Sequence, residues 1–283
     1  MCAPAIAAAH THHHADDQVR SPGRRAFLKG GAALAAGAAV SVTAPALPAL
    51  AFPNRAKRTV DLTHRLVKTF PAFFGEQVVF DTVINDFGTT GFFSKKWTFE
   101  EHVGTHIDTP GHFDQGNRLI DDLTPGDLVA PIVVIDIKDK VADDPNAMVE
   151  PEDLSAFERR HGRIPERALV CMNSGWDQNV EDNDAFLGGS GFPDLNFPGF
   201  SIEATDWLVA NRDPVAIGVD TISLDPGNSQ TFAVHFGFLA TGRYGIESLA
   251  NLDAIPPRGA LGFVGAVPWE DGSGAPCRVL AAI

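Results

Sequence analysis

The sequence predicts a mixed α/β fold, because short apolar runs typical of strands alternate with two segments that carry helix start and stop signals. The chain has 283 residues, enough for one domain with a sizeable hydrophobic core. Its apolar runs are rich in Val, Ile and Phe and are separated by Gly, Pro, Asn and Asp, which favours strands joined by turns. The predicted strands cover residues 59–62, 77–84, 97–103, 131–137, 168–173, 214–219, 259–267 and 278–283.

Two segments are predicted to be helices, at residues 151–161 and 201–211. The first begins with a proline and two acidic residues and ends with two arginines and Gly162, an order that the helix dipole and the C-terminal geometry favour. The second follows Ser201, whose hydroxyl suits the N-cap position, and its core-facing residues are predicted to be Ile202, Trp207 and Leu208. Residues 181–200, rich in Asp, Asn, Gly and Pro, are predicted to form a long loop, either a plain connection or a binding loop.

The N-terminal segment resembles an export signal, which divides the chain into a leader at residues 1–51 and a single domain at residues 52–283. Arg24 and Arg25 stand directly before the apolar run 30–42, and Ala49-Leu50-Ala51 matches an A-x-A cleavage site. The run is too short and too rich in Gly and Ala to span a membrane. We therefore expect export by the twin-arginine route and a periplasmic or extracellular protein that has no membrane attachment after cleavage.

The charge of the chain restricts its partners. It has 36 acidic residues against 22 Lys and Arg, a formal net charge of −14, so nucleic acid and anionic membrane surfaces would be repelled. A small molecule is the expected substrate. Cys171 and Cys277 would remain after cleavage and could pair, although nothing in the sequence requires a disulfide. The chain has no G-x-S-x-G motif to indicate a serine nucleophile.

A histidine-rich segment is the strongest sign of function. His102, His106 and Asp108 are separated by even numbers of residues, so in an extended segment their side chains would share one face and could bind one cation. A helix is disfavoured there by a glycine, two β-branched residues and Pro110. Pro110 should end the strand and let His112 fold back over the site, where an imidazole that is not a ligand could carry protons.

A second candidate group lies far downstream, where His235 and Glu247 stand in apolar surroundings. Such residues are rarely buried without a partner. Two histidines and one carboxylate leave a metal ion under-coordinated, so this pair could complete the site or hold a second ion.

The segment from His102 to His112 resembles the H-x-G-T-H-x-D-x-P-x-H signature of the metal-dependent cyclase-like hydrolases, a family that includes bacterial kynurenine formamidase and isatin hydrolase. The resemblance extends from about residue 59 to the C-terminus and includes residues 173–177 and 247–253. It implies a mixed-sheet swivelling β/β/α domain. It also implies that His112 is the catalytic acid and base, and that the metal ligands are His102, His106, Asp108, His235 and Glu247.

The resemblance leaves the metal open. Kynurenine formamidase is understood to use two zinc ions, and isatin hydrolase a single manganese ion without the glutamate. Glu247 therefore favours the two-metal form, whereas residues 173–177 and 247–253 look more like isatin hydrolase. We expect one or two divalent ions, Zn²⁺ or Mn²⁺, and a homodimer or homotetramer.

The resemblance implies hydrolysis of a C–N amide bond, in an aryl formamide or a cyclic amide, by metal-activated water. A lactone or another ester would suit the same chemistry. A periplasmic protein that binds a metal or ligand without turnover is the alternative from another class. Kynurenine breakdown is intracellular, so export argues against that particular substrate.

Overall fold

The computed structural model describes residues 58–283, and the predicted leader lies outside them. The described strands are β1 (Thr59–Asp61), β2 (Phe80–Asn85), β3 (Ser94–Thr98), β4 (His106–Asp108), β5 (Val129–Asp136), β6 (Met148–Val149), β7 (Leu169–Asn173), β8 (Gly199–Phe200), β9 (Ala216–Val219), β10 (Tyr244–Glu247), β11 (Arg258–Ala266) and β12 (Gly274–Ala282). The α-helices are α1 (Phe87–Thr90), α2 (Lys138–Val141), α3 (Pro151–His161), α4 (Asn183–Leu187) and α5 (Ile202–Arg212). Short 3-10 turns cover Pro110–His112, Ile120–Asp122, Trp176–Asn179 and Leu252–Ala254, and a π-helical turn covers His235–Leu239.

Eight strands form one mixed sheet that closes on itself. The order is β1-β12-β11-β5-β7-β9-β10-β4, and β4 also pairs with β12. β5, β7, β9 and β10 are parallel, whereas β4, β11 and β12 pair antiparallel to their neighbours. The N-terminal half of β12 pairs with β4 and its C-terminal half with β1, so this strand completes the ring. The predicted mixed α/β class is confirmed, with strands dominating.

Successive residues of the central strands enter two different hydrophobic clusters. Ile132 and Val134 of β5 join a cluster drawn from strands all round the ring, which therefore fills its interior. Val133 and Ile135 point the other way, into a cluster with α3 and α5 on the outer face of the sheet. Because both faces are covered, the central strands have the continuous apolar sequences that the strand prediction recognised.

Both predicted helices are confirmed. α3 has the predicted bounds, and α5 extends one residue further than predicted. The Ser201 hydroxyl caps α5 by accepting a hydrogen bond from the Ala204 amide at 3.1 Å. Leu208 is fully buried, and Ile202 and Trp207 are partly buried.

Three sequence predictions need correction. The strand predicted at 97–103 is wrong, because β3 ends at Thr98 and the chain then bends through a left-handed Gly104 with φ +70°. The predicted loop 181–200 contains α4 and the short β8. β10 was not predicted, because a four-residue strand with a glycine and a glutamate has no clear apolar pattern.

Among the described residues, no helix has the length and apolar character needed to cross a membrane.

Candidate metal centre

Two paired strands present three acidic and imidazole groups on one face. In β4, Ile107 points into the ring interior, so its neighbours His106 and Asp108 point outward. β10 pairs antiparallel with β4 in a register that places Glu247 directly opposite His106. The His106 Nε2 atom lies 3.2 Å from Asp108 Oδ1 and 3.4 Å from Glu247 Oε2. All three side chains are buried.

His102 reaches the same point by a different route from the predicted one. It precedes the Gly104 turn rather than standing in an extended strand, so the shared-parity argument does not apply to it. The turn folds its ring back, and Nδ1 lies 2.6 Å from Asp108 Oδ1. The ring packs over Gly274 of β12, where a Cβ atom would lie 2.5 Å from His102 Cε1.

His235 enters from the opposite side, on the π-helical turn. Its Nε2 atom lies 3.3 Å from Asp108 Oδ2 and 3.2 Å from Glu247 Oε1. Its Nδ1 atom faces Asp225 Oδ2 at 2.6 Å, and the same carboxyl oxygen accepts the backbone amide of His235. Because Nδ1–H donates to Asp225, Nε2 is left as a lone-pair donor toward the site.

His112 lies beside these groups at the end of a 3-10 turn. Its ring stacks on that of His102, with 3.8 Å between the centroids. The pKa of His112 is lowered to about 4, mainly by burial and also by the neighbouring imidazoles, which together outweigh the opposing charge of Asp108. His112 is therefore neutral at pH 7 and able to accept a proton.

The donor set fits a divalent cation. His106 Nδ1–H donates to the Gly104 carbonyl at 2.8 Å, and the buried Nε2 atom has no well-aligned hydrogen-bond partner among the described residues. Burial would lower the pKa of His106, but the carboxylates of Asp108 and Glu247 outweigh it and raise that pKa to about 9. The negative charge that draws a proton onto this imidazole would also attract a metal ion.

The donors fall into two groups that share Asp108. One consists of His102, His106 and Asp108, and the other of Asp108, His235 and Glu247; in each group the ligand atoms lie within 4.8 Å of one another. All five are imidazoles or carboxylates, the ligand types that Zn²⁺ and Mn²⁺ accept. The structure thus brings the six predicted site residues together, with His112 stacked on His102 and its ring centroid 6.3 Å from that of His235.

A cavity of about 460 Å³ opens above this centre. Its floor includes His102, Asp108, His112, His235 and Glu247, and its walls include Phe73, Phe113, Phe232 and Phe236. Glu76 and Glu100 also line it and are exposed. No lysine or arginine is found among the described residues that line the cavity.

Three residues that support the centre were not predicted. Asp225 holds His235, as described above. Glu101 Oε2 accepts hydrogen bonds from the Ser273 amide at 2.9 Å and its hydroxyl at 2.6 Å, and Ser273 Oγ lies 3.0 Å from His102 Nε2. An aspartate ten residues before a buried histidine, and a glutamate directly before His102, were visible signals. Nothing in the sequence connects Ser273 with His102.

The two additional segments of the sequence resemblance contact each other. The Asn173 amide donates to Asp253 Oδ1 at 2.8 Å, and the backbone amide of Asn251 donates to Asp177 Oδ2 at 2.8 Å. These bonds tie the end of β7 to the residues that follow β10. The segments therefore brace the strand that carries Glu247.

Known proteins are similar to this chain in sequence. The Cyclase family model matches residues 60–226. Isatin hydrolase from Roseibium aggregatum is 31% identical over 210 residues, 71% of this chain and 79% of that protein. Kynurenine formamidase from Salinibacter ruber is 30% identical over 156 residues, 55% of this chain and 64% of that protein.

Solved structures confirm the fold that the sequence resemblance implied. Isatin hydrolase A from Ralstonia solanacearum superposes with a TM-score of 0.74 at 35% identity, covering 79% of this chain and 91% of that one. Isatin hydrolase A from Labrenzia aggregata, bound to benzyl benzoate, has a TM-score of 0.75 at 31% identity, covering 80% of this chain and 93% of that one. The chain therefore belongs to the Cyclase family of metal-dependent hydrolases.

Proposed function

We propose that this protein hydrolyses the C–N bond of an amide, and that its substrate is an uncharged aromatic cyclic amide of the isatin type rather than an aryl formamide that carries an amino acid group. The observation that carries this proposal is the five-donor centre at the floor of a phenylalanine-walled cavity. Relatives named isatin hydrolase, which are covered over most of their length, support the same choice.

The ligands of the ion would be His102, His106, Asp108, His235 and Glu247. A divalent cation held there supplies Lewis-acid polarisation of the amide carbonyl and lowers the pKa of water. The two donor groups that share Asp108 favour two ions. Zn²⁺ and Mn²⁺ are the proposed metals.

His112 is the proposed acid and base. It lines the cavity beside the donor cluster, and its ring is held by stacking on His102. As a neutral imidazole it takes the proton from the attacking water and then gives that proton to the leaving nitrogen. The C–N bond breaks as the new carboxylate forms, and one water molecule is consumed.

The charge of the cavity distinguishes between amide substrates. Formylkynurenine carries an α-carboxylate, which a specific site would pair with a basic side chain or with several hydrogen-bond donors. The described lining contains no basic side chain for the α-carboxylate of formylkynurenine; Glu76 and Glu100 could pair with its α-ammonium group but would repel the carboxylate. Isatin is neutral and flat, so phenylalanine side chains can contact its ring without that cost.

The test is turnover by purified protein loaded with Zn²⁺ or Mn²⁺, with metal content measured in the same sample. We expect hydrolysis of isatin to exceed that of formylkynurenine and of simple lactones, to stop on chelation, and to return when metal is restored. Asp108→Asn should lose both metal and turnover, whereas Asp206→Asn, at an exposed position of α5, should lose neither. Full metal occupancy without turnover of any of these compounds would refute the proposal.

We also propose that the protein acts after export by the twin-arginine route, in the periplasm or outside the cell. The Arg24-Arg25 pair and the apolar run that follows it support this location. Cell fractionation and N-terminal sequencing of the recovered protein test it. A leader still attached to cytoplasmic protein would contradict it.

A further inference from the structure

A single uncharged hydroxyl is found among the described residues that line the cavity. This lining consists of eight apolar residues, four carboxylates, three histidines and Ser223. Two of the histidines, His102 and His235, belong to the donor set, and His112 is the proposed acid and base. An ionised carboxylate accepts hydrogen bonds but cannot donate them. Within the described lining, Ser223 is therefore the neutral side chain left to donate a hydrogen bond to a substrate.

Ser223 is buried, and its hydroxyl has no partner in the part of the chain that the structure describes. The residue is 3% exposed. Its backbone carbonyl accepts a hydrogen bond from Thr221 Oγ1 at 3.1 Å, whereas its hydroxyl forms none with residues 58–283. Buried hydroxyl groups are normally paired, because an unpaired one loses its hydrogen bonds to water without replacement. A buried hydroxyl at a cavity wall therefore has its partner in the molecule that the cavity binds.

The backbone on both sides of Ser223 is fixed to β10. The Leu224 amide donates to Glu247 Oε1 at 2.9 Å, and the Ser248 amide donates to the Thr221 carbonyl at 2.8 Å. Ser223 thus lies one residue from an amide that holds a member of the donor set. A group that is already held in place loses little conformational entropy when a ligand binds, which favours selective recognition.

The proposed substrate carries an oxygen atom that still requires a donor. Isatin has two carbonyl groups on adjacent ring carbons, and only one of them belongs to the amide that is cleaved. The proposed ion would polarise the amide carbonyl. The neighbouring ketone oxygen accepts hydrogen bonds, and neither the phenylalanine side chains nor the ionised carboxylates of the lining can donate to it.

We propose that Ser223 is a specificity-determining residue whose hydroxyl donates a hydrogen bond to the carbonyl oxygen beside the scissile amide. This inference rests on the proposed function and narrows its substrate class to cyclic amides with a second carbonyl group next to the amide carbonyl. A cyclic amide without that oxygen leaves the Ser223 hydroxyl unpaired in the complex. A site built to hydrogen-bond a substrate group discriminates against analogues that lack the group for this reason.

A purely structural role for Ser223 would give a different result on substitution. The hydroxyl makes no hydrogen bond to the described residues, so Ser223→Ala should keep the wild-type free energy of unfolding and the wild-type metal content. Only the binding of a molecule with the second carbonyl group should change. Denaturant unfolding and metal analysis of Ser223→Ala check the first two expectations.

The main experiment compares the binding of isatin with that of oxindole, which has the same rings and amide but lacks the ketone oxygen. Calorimetry is done on metal-loaded full chains that carry His112→Ala, in which hydrolysis is expected to be slow. Adding Ser223→Ala should raise the Kd of isatin about 2- to 10-fold, the range of one uncharged hydrogen bond, and leave the Kd of oxindole unchanged. The matched control is Ser155→Ala, at a half-buried serine of α3 outside the cavity lining, which should change neither Kd.

The outcomes separate the role of Ser223 from the hydrolase assignment. An equal change for isatin and oxindole, no change for either, or a loss of stability or metal in Ser223→Ala would overturn the role of Ser223 and leave the proposed function standing. Failure of the Ser223-containing chain to bind isatin would overturn both. In chains that retain His112, kcat/KM for isatin should fall by the same factor as the affinity, and an unchanged kcat/KM would also contradict the proposal.

Discussion

Replacing Asp225 by Asn tests whether a carboxylate outside the donor set controls the centre. Oδ2 of Asp225 accepts Nδ1–H of His235 at 2.6 Å and the backbone amide of His235 at 3.1 Å. Oδ1 accepts the backbone amide of Val234 at 3.0 Å, with the Ser229 hydroxyl at 3.4 Å. Both oxygens accept from N–H groups, so an amide NH₂ in either place meets a donor.

The size of the effect of Asp225→Asn depends on whether the new NH₂ group faces Val234 or His235. Facing Val234, it leaves a buried donor unsatisfied, which costs about 1–3 kcal/mol of folding free energy. Facing His235, it makes Nδ1 an acceptor and moves the proton to Nε2, the atom that points at Asp108 and Glu247. Loss of such a supporting carboxylate typically lowers metal affinity or activity by about 10- to 100-fold. That range corresponds to about 1.4–2.7 kcal/mol.

Two measurements separate the two outcomes. Denaturant unfolding of metal-free protein reports the buried donor, and competition with a chromogenic chelator reports the affinity for Zn²⁺ or Mn²⁺. Ser229→Ala removes the 3.4 Å contact and the hydrogen bond that the Phe232 amide donates to the Ser229 hydroxyl at 3.2 Å; it serves as the control, with about 0.5–1.5 kcal/mol of stability lost and metal affinity unchanged. The role of Asp225 as a support for His235 would be refuted if Asp225→Asn kept the wild-type free energy of unfolding and a metal affinity within twofold of wild type.

Three further predictions concern proton transfer, packing and pH. His112→Ala should retain metal and lose about 10²–10⁴-fold in turnover, measured by steady-state kinetics beside metal analysis. Gly274→Ala should lower the free energy of unfolding by about 1–3 kcal/mol and weaken metal binding, because the added Cβ would displace the His102 ring. Gly265→Ala is the control, because the nearest atom to a Cβ added at Gly265 is 3.6 Å away. The guanidinium of Arg212, on α5, binds the Glu158 carboxylate and lowers the pKa of Glu158 below its usual 4.5. Glu158→Gln should therefore destabilise the protein at pH 7. That stabilisation is present above the unfolded-state pKa and disappears as pH falls through the folded-state pKa, so unfolding curves of variant and wild type should converge in acid.

A different result would contradict each of these three predictions. Retained turnover in His112→Ala would assign proton transfer to another group, and loss of metal would make that residue a ligand. Equal effects of the two glycine substitutions would remove the packing argument. A stability difference for Glu158→Gln that stayed constant from neutral to acidic pH would show that the charge of that carboxylate is not what stabilises α3 against α5.

The sequence predicts most of the fold where hydrophobic pattern and local chemistry agree. β5 and β7 were recognisable because both faces of each strand are covered, which makes their residues apolar except for Asp136 and Asn173 at the two strand ends. α3 and α5 were recognisable from their termini. β10 was not, because its stability comes from pairing with β4 and β9, which are distant in sequence. Ring closure by β12 depends on the same kind of long-range pairing and could not be predicted from local pattern.

The site was predictable to a similar degree. The spacing of His106 and Asp108 was sufficient to place them on one face, and the structure agrees. For His102 the same parity argument was wrong, because the left-handed turn at Gly104 interrupts the strand, although the ring still reaches Asp108. The meeting of His235 with Glu247 rested on chemical need and on family resemblance. Asp225, which holds His235, was visible as an acidic residue ten positions earlier, whereas the contact of Ser273 with His102 is tertiary and a single sequence does not reveal it.

The position of β12 in the chain has a consequence for how the enzyme acquires its ion. β12 follows every other described strand, and it holds the edge of β4 that β10 leaves unpaired. During synthesis on the ribosome His106 and Asp108 of β4 therefore lack one of their flanking strands until β12 has emerged. A divalent ion at these residues would therefore be held by the complete centre only after β12 has paired with β4.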